Sequence, residues 1–123
     1  MTAPTTAPAR PAAPAWVPAC ASHRLQPERG VAVLLPGGAQ AALFRTHDGA
    51  LYALDNTDPF TGAAVLSRGI VGDRAGEPTV ASPMLKHRFA LRTGASLDDP
   101  AVRLAAYPVR EDGGRVYVGA RPL

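Results

Sequence analysis

Apolar and polar positions alternate over short stretches, and glycine or proline cuts each stretch before it could make three turns of helix. "WVPAC" (16–20) reads as extended chain, and Pro18 points to an edge strand because proline cannot donate to a ladder. "SHRLQPERG" (22–30) reads as a polar turn holding at most one helical turn. "VAVLLPGG" is a predicted strand closed by a Pro-Gly turn, "QAALFRT" follows it, and "HDG" returns the chain into "ALYAL". Asp-Gly between two apolar segments is a strong hairpin signal. Residues 55–78 read as one long loop, after which "TVASP" is extended. In "LKHRFALRTG" a period of two places Leu85, His87, Phe89 and Leu91 on one face of a predicted strand, with Lys86, Arg88 and Ala90 on the other. "LAAYPVREDGGRVYVG" closes the chain as a second hairpin, turning at Asp112, Gly113 and Gly114. Many short strands without a long helix predict an all-β fold, a small antiparallel sandwich or barrel.

Composition refines this picture in three places. Residues 1–15 are rich in Pro, Ala and Thr without apolar periodicity, which predicts a disordered tail ahead of one domain over 16–123. The same segment lacks the basic start and continuous apolar core of a signal peptide, and no apolar run approaches the roughly 20 residues that span a bilayer. A cytoplasmic, non-membrane protein is the expectation. The single cysteine, Cys20, excludes an internal disulfide and any four-cysteine cluster, and its apolar neighbours predict a buried structural thiol. The net charge of +3 is carried by single arginines spread along the chain and one lysine, Lys86, which argues against a nucleic-acid-binding stripe.

Few residues carry independent chemistry. His23 and His47 fall in predicted turns, and His87 shares its predicted face with Phe89, so none has metal-ligand spacing with the others or with Asp55 and Asp58. Ser82 or Cys20 with His87 is a conceivable nucleophile and base, but no nucleophile-elbow motif surrounds either. Asp98 and Asp99 precede a proline and read as turn formers. The glycines of "RGIVGDRAG" lack dinucleotide-binding spacing. No catalytic, metal-binding or cofactor-binding residue is expected in this chain.

Two loops remain, 55–78 and the shorter "SPMLKH". A loop as long as the first is uncommon without a function. The order "LYALDN–DP–TGAAVLSRGIVGD", "SPMLKHRFALRTG", "YPVREDGGRVYV" resembles the Rieske iron–sulfur domain over residues 16–119. In that family two cysteines hold one iron and two histidines the other. Matched residue by residue, the cysteine positions are Asp58 and Ser82, and the histidine positions are Phe60 and Leu85. Phe and Leu have no donor atom, and Asp and Ser are poor partners for a soft, sulfide-bridged cluster. Pro59, Pro83 and Gly62 of the frame are kept. The resemblance therefore implies a Rieske-like fold with vestigial ligand positions, in which Phe60 and Leu85 are expected to pack the space a cluster would occupy.

The blocks "DPFTGAAVLSRGIVGD" and "VASPMLKHRF…TG…LDDP" are similar, more narrowly, to the small subunit of NAD(P)H-dependent assimilatory nitrite reductase, a Rieske-like family without Rieske ligands. That resemblance implies a partner, the large subunit carrying siroheme, an iron–sulfur cluster, FAD and the nicotinamide site, and an assembly that reduces nitrite to ammonium in nitrate assimilation. The small subunit is then expected to contribute surface and no redox step. Phe60 and Thr61 of the first loop, with Met84, Leu85 and Lys86 of the second, are the expected partner-binding residues, since an aromatic and a flexible Met beside charged groups have the composition of an interface. The alternative reading is a stand-alone Rieske-fold module that docks on, or regulates, another oxidoreductase.

Overall fold

The computed structural model describes residues 15–123. The expected tail and its boundary lie almost wholly outside them, and the first strand begins at Trp16. Ten strands follow in order: β1 (Trp16–Ala21), β2 (Arg29–Leu34), β3 (Gln40–Arg45), β4 (Leu51–Asp55), β5 (Ile70–Arg74), β6 (Glu77–Ala81), β7 (Arg88–Ala90), β8 (Ala106–Tyr107), β9 (Val109–Asp112) and β10 (Arg115–Gly119). They form three antiparallel sheets, ordered β1-β10-β9, β2-β3-β4-β8 and β5-β6-β7. The fold is all-β, and helical structure among the described residues is confined to three-residue 3-10 turns. No helix there is long and apolar enough to cross a membrane.

Strand β3 organises the interior because it is buried on both faces. Ala41 and Leu43 point into one core with Leu25, Val33, Val116 and Val118. Ala42 and Phe44 point into a second with Leu54, Leu66, Val80, Phe89 and Leu91. This double burial explains why "AALF" is a continuous apolar run where a half-exposed strand would alternate. Phe44 and Phe89 are fully buried, each contributing about 1.5–3 kcal/mol of transfer free energy. Arg45, at the end of β3, ties the sheets together: its Nε donates to the Leu25 carbonyl and its Nη2 to Glu111 at 3.0 Å.

Both predicted hairpins are present. Thr46 donates its N–H to the Ala50 carbonyl across the "HDG" turn, and Asp112 pairs with Arg115 across Gly113 and Gly114, whose φ angles of 60° and 80° suit the paired left-handed turn that glycine favours. Strand β1 is an edge strand, and its register slips between Pro18 and Cys20. His23 and His47 are exposed. Cys20 is half-buried against the first core, and burial raises its thiol pKa despite Arg45 and Arg115 nearby.

Two expectations are corrected. The segment 55–78 is not one loop, because Ile70–Arg74 forms β5 and pairs with β6 through a turn at Ala75 and Gly76. Nor do Leu85, His87, Phe89 and Leu91 share one strand face. Strand β7 covers only Arg88–Ala90, while Leu85 and Lys86 lie in the preceding turn at φ 61° and 60°. That conformation breaks the two-residue alternation, so Leu85 points away from buried Phe89.

Candidate functional site

The two loops singled out by the sequence meet at one end of the β5-β6-β7 sheet. The first leaves β4 at Asp55 and closes on itself: Asp58 donates its N–H to the Ala63 carbonyl at 2.8 Å and accepts the Gly62 N–H at 2.7 Å. Gly62 holds φ 78°, the left-handed value this turn requires. Asp58 Oδ1 also accepts the Phe60 N–H at 2.8 Å, a side-chain-to-backbone turn that Asp readily makes. The second loop, between β6 and β7, closes by Ser82 N–H to the His87 carbonyl at 2.8 Å, and Ser82 Oγ accepts the Met84 N–H at 3.1 Å.

One side-chain contact locks the loops together. Ser82 Oγ donates to Asp58 Oδ2 at 2.5 Å, with Asp58 fully buried and Ser82 1% exposed. None of the ion pairs among the described residues involves Asp58, so its carboxyl is satisfied by the Ser82 hydroxyl and the Phe60 N–H alone. Above this bond the Phe60 ring stacks on His87, centroids 3.9 Å apart and planes at 20°, and reaches Phe89 at 6.2 Å. Phe60 thus packs as expected. Leu85 does not: it is 73% exposed and fills no interior space. The positions of the two thiolates are bridged by a hydrogen bond, and only one histidine position is plugged.

The residues weighed for catalysis are not paired with one another through their side chains. The Ser82 hydroxyl faces the Asp58 carboxyl, and both groups are buried. Its proton is directed at Asp58 and not at His87, whose Nδ1 is buried without a partner. Cys20 lies on β1 beside the other core. Asp99 acts as a turn residue, accepting the Ala101 N–H, while Asp98 reaches ten residues back to accept the Arg88 N–H at the start of β7.

A family model described as a Rieske-like [2Fe-2S] domain matches residues 15–119. The nitrite reductase (NADH) small subunit of Escherichia coli K12 is 39% identical over 104 residues, 84% of this chain and 95% of that protein. A crystal structure from Mycobacterium tuberculosis described as an NADH-dependent nitrite reductase small subunit superposes with TM-score 0.86 at 51% identity, over 91% of this chain and all of the other. The chain belongs to the nitrite reductase small-subunit family of Rieske-like domains. A third relative is of another kind. The nitrite reductase [NAD(P)H] large subunit of Klebsiella oxytoca is 42% identical over 123 residues, 98% of this chain, and the chain spans only 13% of that protein's length.

Membership raises the question of an iron–sulfur cluster, and the residues of this chain do not fit one. Phe60 and Leu85 offer no donor atom, and the oxygen atoms of Asp58 and Ser82 are committed to each other and to backbone N–H groups. Among the described residues no group of three or more His, Cys, Asp or Glu is placed to hold a metal ion. Phe60 and Thr61, Met84, Leu85 and Lys86 do gather on the two loops, with Thr61, Met84, Leu85 and Lys86 exposed and Phe60 half-buried. Sequence reasoning missed the Asp58–Ser82 lock and exposed Ile70 of β5. The lock leaves a trace in the sequence, since Asp two residues before Phe60 and Ser two before Met84 suit local side-chain turns.

Proposed function

We propose that this chain is the accessory small subunit of a cytoplasmic NAD(P)H-dependent nitrite reductase of nitrate assimilation. It docks on a large subunit that carries siroheme, an iron–sulfur cluster, FAD and the nicotinamide site, and it passes no electrons itself. The observation that carries this reading is the Klebsiella oxytoca large subunit, a single polypeptide containing a stretch 42% identical to essentially this whole chain. A domain that exists both as a separate subunit and within the large-subunit polypeptide is one that works in contact with it. The chemistry of the loops supports the non-redox half of the reading. The Ser82–Asp58 bond and the Phe60–His87 stack give the loops a fixed shape without a metal, and a fixed shape lowers the ordering cost of association.

Co-expression with the large subunit from the same source tests the proposal. The expected result is a stoichiometric complex whose nicotinamide-dependent nitrite reduction falls when this chain is omitted, with all visible absorbance belonging to the partner. A large subunit that is equally active alone, and from which this chain elutes separately, refutes it.

A further inference from the structure

The apolar side chains that the fold leaves in water are not scattered. Five large ones are exposed among the described residues, and three of them, Ile70, Met84 and Leu85, lie at the loop end of the β5-β6-β7 sheet. Ile70 pairs with Ala81 and Ala81 with Arg88, so these three make the last row of that sheet, and the loop bearing Met84 and Leu85 springs from it. Ile70 is 72% exposed and Leu85 73%. Isolated apolar residues on a surface are ordinary, whereas several gathered at one end of a sheet point to a contact surface.

The backbone carries a second, independent mark. Leu85 and Lys86 are consecutive non-glycine residues in the left-handed region, a conformation unfavourable for any residue with a β-carbon and easy for glycine. The strain holds Leu85 outward on a loop made firm by the Ser82–Asp58 bond and the Phe60–His87 stack. The turn joining β6 to β7 takes this conformation, and in doing so it presents Leu85 to solvent, where strain kept at an exposed loop tip points to a contact. Beside Ile70 runs a groove of about 490 Å³ lined by Arg29, Gly30, Arg68 and Gly69, with Glu28 as its one acid.

We infer that this tip is the face that docks on the large subunit: Leu85 and Ile70 enter an apolar recess while Arg29 and Arg68 meet carboxylates at its edge. The inference rests on the small-subunit reading, and the Klebsiella polypeptide is the reason for naming the large subunit as occupant. Phe60 becomes a buttress under the contact, and Ile70 an anchor.

Titration of the full chain against its large subunit, with sedimentation of the chain alone, tests the inference. Leu85→Asp and Ile70→Asp should each weaken binding at least ~10-fold, as loss of a central apolar anchor does. Leu34→Asp, on the β2 edge and equally exposed, should bind like wild type. Leu85→Gly separates docking from folding, because it relieves the left-handed strain: melting temperature should hold or rise while binding falls. Added salt should weaken wild type more than Arg68→Gln, since screening acts on the charged edge. Wild type that fails to bind the large subunit sinks the small-subunit reading and the inference with it. Wild type that binds with Leu85→Asp and Ile70→Asp unchanged overturns the tip alone. So does a wild-type dimer that Leu85→Asp dissolves without loss of large-subunit affinity, which would make the tip a contact between copies.

Discussion

Ser82→Ala is the sharpest test of how the two loops are held. The substitution removes one oxygen atom and with it two hydrogen bonds, the 2.5 Å donation to Asp58 Oδ2 and the 3.1 Å acceptance from Met84 N–H. Because Asp58 is fully buried, Oδ2 keeps no donor and gains no access to water. Leaving a buried acceptor unpaired costs about 1–3 kcal/mol, more when it is charged, so a loss of roughly 2–4 kcal/mol is expected. For a domain of this size each kcal/mol moves the melting temperature by about 4 °C, so the drop should be ~8–16 °C. The assay is denaturant and thermal unfolding of wild type, Ser82→Ala, Asp58→Ala and the double variant. Asp58→Ala should be at least as damaging, since it also releases the Phe60 N–H. The double variant should cost less than the sum of the single ones, with a coupling of roughly 1–3 kcal/mol for groups in direct contact. A Ser82→Ala protein melting within about 2 °C of wild type, or a coupling near zero, would refute the lock, because both follow from the burial of Asp58 and not from loop shape alone.

Three further outcomes follow from the same geometry. Anaerobic incubation with iron and sulfide should leave the purified chain colourless and free of stoichiometric iron, as measured by visible absorbance and metal analysis, because Asp58, Phe60, Ser82 and Leu85 present no soft donor. Gly69→Ala should destabilise the fold by about 1–3 kcal/mol in urea unfolding, since its β-carbon would stand 2.5 Å from the Ala81 carbonyl oxygen at the start of the β5–β6 pairing. Burial raises the Cys20 pKa, so less thiolate is present at neutral pH than in an exposed cysteine. Iodoacetamide should therefore modify the folded chain more slowly than the unfolded one, and its rate should keep climbing with pH beyond the range where an ordinary thiol levels off.

Local signals in the chain were enough for the features that strong turn and proline residues mark. Asp-Gly and Gly-Gly between apolar runs set the two hairpins, and Pro18 marked an edge strand, because each follows from residues close in sequence. Strand β5 was invisible: it holds one buried apolar residue, Val71, beside exposed Ile70, Asp73 and Arg74, and exists because β6 supplies its hydrogen-bond partners. Leu85 was misplaced for a related reason. Its alternation with Phe89 is real in the sequence, but the turn that joins β6 to β7 needs two left-handed residues, and that requirement reverses the side chain's direction. The Asp58–Ser82 bond joins residues 24 apart. Their identities showed only that neither is a soft ligand. The pairing itself, a buried hydrogen bond below and a strained leucine facing outward, was decided when the sheets brought the loops together, since neither loop by itself says how near the other will come.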